Sequence, residues 1–194
     1  MKVAFIGTHG VGKTTLCFEL AALLKRDAVN VDMVKEVARL SPLPINQRTS
    51  YEAQVWILAN QISEEIRSSA NHDVVVCDRS VLDNYAYLAR ACGRQPGLER
   101  FLDEWLPTYD ALFLVPHVGD ATPDGVRDTD EQFVQDIDHF IRVLLAERAV
   151  PHVALDPGGR GEWARAAHGV VRAHPSFAPL RAGAGRPVTL PLLP

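Results

Sequence analysis

The sequence predicts a single α/β domain built on a five-stranded parallel sheet with helices on both faces. Three observations lead to this fold class. Short apolar runs alternate with segments of helical periodicity, and no repeat or linker interrupts the first 170 residues. The chain has 194 residues, enough for one core that folds alone. We expect the domain to cover residues 1–173 and a separate tail to cover residues 174–194.

Apolar runs mark the predicted strands. A run that is apolar at every position is typical of a parallel strand covered on both faces, and the first such run ends in a glycine. The strands are expected at residues 3–6, 30–35, 74–77, 111–115 and 152–155. Their alternation with helices favours parallel pairing throughout.

Helical spacing of apolar residues marks the segments between the strands. In the first helix, Leu16, Leu20, Leu23 and Leu24 recur at this spacing. Ser50 is the predicted N-cap of the second helix. Two prolines in residues 41–49 indicate a loop, as do the Gly, Pro and Asp residues of 117–128. The helices are expected at residues 14–26, 50–70, 82–91, 97–105, 129–148 and 162–172.

Composition and charge narrow the class of function. The formal net charge is −4 and the pI is about 6.0, which argues against a general electrostatic grip on nucleic acid but leaves a local basic groove open. The three cysteines lack ligand spacing, which argues against a zinc site or a disulfide. Cys17 falls in a predicted helix and Cys77 in an apolar run, so buried reduced thiols are expected. No signal-peptide pattern and no apolar stretch of membrane-spanning length is found, so we expect a cytoplasmic protein that does not contact the membrane.

The tail over residues 174–194 has five prolines and no apolar period. Such a composition is typical of a mobile or surface-draped segment. Residues 188–193 are apolar for a free tail, so a partner-binding arm stays open as the alternative.

A phosphate-binding motif follows the first strand. Residues 7–14 match the pattern G-x-x-x-x-G-K-[ST] in full, between a predicted strand and a predicted helix. Its glycines allow backbone N–H groups to surround a phosphate, its lysine adds charge, and its threonine hydroxyl is a ligand for Mg²⁺. We therefore predict that ATP and Mg²⁺ bind here. His9 is expected to be a solvated loop residue. The predicted nucleotide-binding residues are Gly7, Gly10, Val11, Gly12, Lys13, Thr14 and Thr15.

Charged residues follow the ends of the other strands, where ligands of parallel sheets gather. Asp78 ends an apolar strand and is predicted to bind Mg²⁺ with Thr14, although capping of the next helix is an alternative role. Arg79 is predicted to stabilise phosphate charge. Glu36 is predicted to be the general base for an acceptor hydroxyl, the alternative being a solvated surface acid. Arg39 lies one turn further on, facing the same cleft or forming a surface salt bridge with Glu36.

One further arginine lies in the loop predicted over residues 117–128. Arg127 could close over the phosphates as the arginine of a lid, with Gly119 and Gly125 as hinges. A plain surface loop is the alternative. Together with Lys13, the four charged residues above and Arg127 form the predicted catalytic set.

These motifs resemble those of P-loop nucleoside and nucleotide kinases, in particular a small AAA-type ATPase/kinase domain family that includes ribosylnicotinamide kinase domains. Residues 7–15, 36–39, 78–87 and 124–128 carry the resemblance. The run Asp78-Arg79-Ser80 is similar to Asp-Arg-Tyr of thymidylate kinases and Glu-Arg-Ser of deoxynucleoside kinases, which implies Mg²⁺ and phosphate as the respective partners of its two charged residues. The pair Glu36/Arg39 is similar in placement to the base and arginine of polynucleotide kinases. The resemblance also implies sheet order 2-3-1-4-5 and a lid after the fourth strand.

The chain departs from thymidylate kinases at Glu36-Val37, where those enzymes usually show an acidic-Pro or basic motif. A hydroxyl acceptor suits a base at this position better than a phosphate acceptor, which is already anionic. We therefore predict an ATP-dependent kinase that transfers the γ-phosphate to a hydroxyl of a nucleoside- or nucleotide-like acceptor. A kinase of polynucleotides or modified DNA bases, a regulatory ATPase switch and a homodimer are left open. The groove proposed for a nucleic acid strand would contain Arg39, Arg79, Arg90 and Arg94.

Overall fold

The strands of the protein form one parallel sheet. The computed structural model describes residues 1–118 and 131–177. Neighbouring strands pair in the order β2-β3-β1-β4-β5, every pair parallel. This confirms the predicted fold class and the strand order implied by the resemblance. The strands are β1 (Lys2–Ile6), β2 (Val31–Val34), β3 (Val74–Asp78), β4 (Ala111–Leu114) and β5 (Val153–Ala154).

Six α-helices lie in the described residues, close to their predicted bounds. The last strand is shorter than expected, because only its two residues pair with Phe113 and Leu114 of β4. The start predicted for the fifth helix lies outside the described residues. The helices are α1 (Lys13–Arg26), α2 (Tyr51–Ser69), α3 (Val81–Cys92), α4 (Pro96–Trp105), α5 (Glu131–Glu147) and α6 (Trp163–Ala173).

Side-chain caps fix where two of the helices begin. The Ser50 side chain accepts a hydrogen bond from Ala53 N, which confirms the predicted N-cap of α2. At α3 the cap is Ser80, whose hydroxyl accepts from the backbone, while the Asp83 carboxylate accepts from Ser80 N at 2.9 Å. The reciprocal cap is complete without Asp78, so the alternative role of Asp78 as a helix cap is wrong.

The core consists of two apolar layers, one on each face of the sheet. Helices α1 and α6 pack together on one face, where Leu20 and Val171 are fully buried. Helices α2, α3 and α5 pack on the other face, where Leu88 and Ile141 are fully buried. Because both faces are covered, ligands have access only at the strand ends. At the carboxyl edge, β1 ends at Ile6 and β3 ends at Asp78, side by side.

Cys17 and Cys77 are buried, as predicted, and burial raises the pKa of both thiols. Among residues 1–118 and 131–177, no helix is long and apolar enough to cross a membrane. Most of the loop predicted over residues 117–128, including Arg127, lies outside the described residues. The same holds for the tail beyond residue 177.

Candidate active site

The loop between β1 and α1 has the backbone of a phosphate cradle. Gly7, Gly10 and Gly12 have φ angles of 141°, 82° and 96°, a region that favours glycine. At Gly7 an added Cβ would lie 2.8 Å from the carbonyl oxygen of Val115. The first glycine is therefore required by its close approach to the end of β4 as well as by its backbone angle.

Lys13 points into this loop rather than into solvent. Its Nζ donates to the carbonyl oxygens of Gly7, at 2.8 Å, and Thr8, and the residue is only 5% exposed. Burial, and then the nearby charge of Arg79, lowers the pKa of Lys13 to about 8, against the opposing effects of Asp83, Asp78 and Glu36. A buried cation next to another cation is suited to an anionic ligand.

The two predicted metal ligands are in contact. Thr14 Oγ1 donates to Asp78 Oδ2 at 2.5 Å. Burial raises the pKa of Asp78 above its ordinary value, although Lys13 and the hydrogen bond from Thr14 oppose the shift. Within the described ranges, no group of three or more His, Cys, Asp or Glu side chains could hold a metal. A hydroxyl and a carboxylate fit Mg²⁺, which keeps several waters and takes its other ligands from substrate phosphates.

Arg79 lines the cleft and is held by Glu36. Its Nε and Nη2 lie 2.9 and 2.8 Å from Glu36 Oε1, and its guanidinium carbon lies 5.0 Å from the centre of the Tyr87 ring. Nη1 of Arg79 is buried, and among the described residues it has no hydrogen-bond partner. Such an unsatisfied donor is costly unless a ligand completes it, which suits an oxyanion in the cleft. The residues thus fit a nucleotide with Mg²⁺.

Glu36 bridges two arginines. Its Oε2 accepts from Arg39 Nε at 2.8 Å, opposite the bond to Arg79. Burial alone raises the pKa of Glu36, but the charges of Arg79 and Lys13 and the two arginine hydrogen bonds outweigh burial and hold the pKa well below its usual range. The Glu36 side chain is 16% exposed, so it is not a solvated surface acid, whereas that of Arg39 is 37% exposed, at the rim of the cleft.

Eight of the predicted site residues therefore meet in one cleft, whereas Gly7, Val11 and Thr15 do not line it. Arg127 lies outside the described residues. Arg90 pairs with Asp136, and Arg94 pairs with Glu99 and Glu147, so neither lines the cleft. A strand-binding groove thus retains only two of its four arginines. The predicted site residues that line the cleft are Gly10, Gly12, Lys13, Thr14, Glu36, Arg39, Asp78 and Arg79.

His9 is buried, contrary to the prediction from the sequence. We expected a solvated loop residue, but His9 is only 6% exposed. Its Nδ1 lies 2.9 Å from the Tyr87 hydroxyl oxygen, and its ring centre lies 5.8 Å from that of Phe133. The expectation was wrong because α3 and α5 cover this side of the loop, which spacing along the chain does not reveal.

The sequence offers Asp83 as a cap of the third helix, which the structure confirms, but it did not predict the bond of Asp83 to the cradle or several further cleft-lining side chains. Asp83 anchors the cradle, since its Oδ1 accepts from Gly7 N at 2.8 Å while its Oδ2 caps α3. The pattern Ser-x-x-Asp at residues 80–83 was the available signal. For the other cleft-lining residues of α2 and α3 the sequence offers helical spacing, which does not separate cleft from core, and for those of the loop after β2 it offers no pattern. These residues are Gln54, Ile57, Asn84 and Tyr87, with Ala38, Ile45 and Asn46 from the loop after β2.

Comparisons with known proteins agree with this geometry. The model of the AAA domain family matches residues 2–163. The probable thymidylate kinase of Thermoplasma volcanium is 29% identical over 114 residues, which are 55% of this chain and 56% of that protein. The chain thus matches about half the length of this relative.

Solved structures share the fold. A deoxyadenosine kinase from M. mycoides with bound dATP has a TM-score of 0.58 at 16% identity, over 81% of this chain and 91% of that chain. A NadR protein in complex with NR has a TM-score of 0.66 at 20% identity, over 94% of this chain and 54% of that chain. At these identities the likeness concerns the fold.

Proposed function

The chain belongs to the AAA domain family and has the fold of P-loop nucleotide kinases, and we propose that it is an ATP-dependent kinase. The γ-phosphate would pass to a hydroxyl group of a nucleoside- or nucleotide-like acceptor. The observation that carries the proposal is the position of Glu36. Its ionised carboxylate lies in the same cleft as Lys13 and the Thr14–Asp78 pair, where it can accept a hydrogen bond from an acceptor hydroxyl.

The cradle residues would bind and orient the phosphates. Backbone N–H groups from Gly10 to Thr15 supply donors at the positive end of α1. The Lys13 ammonium, which bonds to loop carbonyls here, would place its charge on the transferring group. Thr14 and Asp78 would hold Mg²⁺, which when bound neutralises phosphate charge.

Glu36 would accept a hydrogen bond from the acceptor hydroxyl and so orient it. Because Arg79 and Lys13 hold its pKa low, the carboxylate is ionised at neutral pH but is a weak base. A loose phosphoryl transition state has little need of early proton removal. We therefore assign Glu36 mainly to orientation; its carboxylate would take the hydroxyl proton late, as the new P–O bond forms and ADP leaves. We expect an effect near the lower end of the range for general bases, about 10²-fold.

The arginines would stabilise negative charge. Arg79 lines the cleft, and its buried Nη1 has no hydrogen-bond partner within residues 1–118 and 131–177. Arg39 carries charge at the rim of the cleft. Arg127 is proposed as a lid arginine on the sequence alone. With the likeness to a probable thymidylate kinase and to the folds of the two solved structures, these features support a nucleoside-like acceptor.

The test is a γ-phosphate transfer screen over nucleosides, nucleotides, oligonucleotides and metabolites, followed by Glu36→Gln with the best acceptor. Transfer should fall by about 10²-fold, with ATP affinity and slow hydrolysis unchanged. Glu64→Gln is the matched control, since Glu64 forms an exposed ion pair with Arg67 outside the cleft. Equal acceptor-dependent rates in parent and Glu36→Gln would remove Glu36 from the reaction.

The same screen separates the alternatives. A kinase of polynucleotides or modified bases would phosphorylate oligonucleotides in preference to mononucleosides. A regulatory switch would hydrolyse ATP at a rate that no acceptor increases. The acceptor that accelerates ATP consumption most therefore decides among the three functions.

A further inference from the structure

We propose that Gln61 and Glu65 of α2 are positioning residues that hold Arg79 in its working conformation from behind the cleft. Neither residue lines the cleft, and both are buried. The inference rests on the proposed function, in which Arg79 stabilises charge on the transferred phosphate.

The backbone at Arg79 needs an external support. Its φ angle is 91°, a region that side chains other than glycine rarely adopt and that persists only where the surroundings impose it. The residue follows β3 directly, and its N–H donates to the carbonyl oxygen of Phe5 at 3.2 Å. This strained turn aims the guanidinium at Glu36 and the cleft.

Gln61 supports the turn at the carbonyl of Arg79. Its Nε2 donates to Arg79 O at 3.3 Å and to Glu65 Oε1 at 2.9 Å. Both partners are acceptors, so the amide nitrogen must face them and the orientation of the side chain is determined. The hydrogen bond to Glu65 therefore holds the Gln61 amide in the position from which it donates to the carbonyl oxygen of Arg79.

Glu65 is the anchor of this network. Its buried carboxylate accepts four hydrogen bonds, from Gln61 Nε2, from the Tyr109 hydroxyl at 2.6 Å, from Trp105 Nε1 at 2.9 Å and from Lys2 Nζ at 2.7 Å. The charge of Lys2 balances that of Glu65. A carboxylate with all its acceptor positions used is rigid.

The same carboxylate also reaches the other side of the turn. The Tyr109 hydroxyl donates to Glu65 and accepts from Val81 N at 3.1 Å. Glu65 thus holds the chain at two points: it contacts the carbonyl oxygen of Arg79 through Gln61, and the backbone N–H of Val81, the first residue of α3, through Tyr109. Fixing both flanks of a two-residue segment limits the rotation of its peptide groups, which is how a network behind the site can set the direction of the Arg79 side chain.

The test is a double-mutant cycle between Gln61→Met and Arg79→Ala. Methionine keeps the length of Gln61 and removes its donors. We expect Gln61→Met to lower kcat for transfer roughly tenfold, as for loss of one hydrogen bond that positions a charged group, and to leave KM for ATP within about twofold. In the Arg79→Ala background it should have no further effect, because the group it positions is absent.

Ser68→Ala is the matched control. Ser68 is a buried residue of the same helix, and its hydroxyl donates to Asp32 Oδ2 at 2.8 Å, away from Arg79. It should lower Tm while leaving kcat unchanged. If Gln61→Met does not fold, Tyr109→Phe, which releases Val81 N, enters the same cycle with the same expectation.

Two results would overturn the inference. An equal loss of kcat in the parent and Arg79→Ala backgrounds means a general structural role for Gln61. If Arg79→Ala transfers slowly but Gln61→Met transfers at the parental rate, Arg79 does not depend on the network. The proposed function survives this result. If Arg79→Ala itself transfers at the parental rate, the assignment of Arg79 in the proposed function fails, and the positioning inference fails with it.

Discussion

Replacing Lys13 by methionine should stabilise the ligand-free protein and abolish its response to nucleotide. Lys13 is 5% exposed, and the nearby Arg79 repels its charge. Its pKa lies at about 8 against an ordinary 10.5. At about 1.4 kcal/mol per pKa unit, the charged amine costs the folded state about 3 kcal/mol at neutral pH.

The loss of two hydrogen bonds reduces this stabilisation of the variant. The variant gives up the hydrogen bonds of Lys13 Nζ to Gly7 O and Thr8 O, at roughly 1 kcal/mol each. The net stabilisation is then about 1 kcal/mol, or about 2–4 °C in Tm for a chain of this size.

The stabilisation of Lys13→Met relative to the parent depends on pH. Below the folded pKa of Lys13, about 8, the amine is charged in both states and the full penalty acts. Above the ordinary value of 10.5 it is neutral in both states and the penalty is gone.

The assay is thermal unfolding of parent and Lys13→Met, with and without ATP and Mg²⁺. At a ligand concentration of about 100 Kd, the parent should gain about 2.7 kcal/mol, which reverses the order of the two proteins. The variant should also lose ATP turnover, because the lysine charge stabilises the transferring group. If Lys13→Met melts several degrees below the parent without nucleotide, burial of the charged Lys13 amine does not destabilise the folded protein, and the reasoning is refuted. Near-normal turnover would refute the kinase itself.

Two further predictions concern the metal and the cradle. Asp78→Asn should shift the Mg²⁺ dependence of the rate to higher concentration, whereas Arg79→Ala should lower the rate without changing that dependence; a parental Mg²⁺ curve for Asp78→Asn would remove this residue from the metal site. Gly7→Ala should cost about 1–3 kcal/mol of unfolding free energy, because its φ is positive and the new Cβ would lie 2.8 Å from Val115 O. Gly169→Ala lies within α6, where the added Cβ would meet no described atom outside its own stretch of helix within 4 Å. It should instead stabilise by about 0.5–1 kcal/mol, and similar Tm values for the two variants would contradict this.

The sequence was sufficient for the sheet, the helices and the phosphate cradle. Apolar runs and helical spacing are local patterns, and the bounds of α2 and β3 follow from them to within one residue. The motif of residues 7–14 is local as well, because a glycine-rich turn between strand and helix needs no distant partner. Ser50 as a cap was predictable for the same reason, since its bond to Ala53 N spans three residues.

Several features depended on the tertiary structure because their partners lie far apart along the chain. Gly7 meets Asp83, and Glu36 meets Arg79 across 43 positions. His9 is buried only because α3 and α5 pack over its loop. The sequence placed charges at strand ends and offered the pairing of Glu36 with Arg39, but not its pairing with Arg79. It therefore could not predict that the pKa of Glu36 is lowered.

The sequence by itself predicted which residues would bind phosphate and metal, because the motif is continuous and the residues that end parallel strands gather at one edge of the sheet. Only the tertiary structure decided how each charge is balanced and held. The network behind Arg79 joins Lys2 of β1, Gln61 and Glu65 of α2, and Tyr109 before β4, which are three separate segments. No spacing along the chain encodes such a meeting, because it arises from the packing of α2 against the sheet.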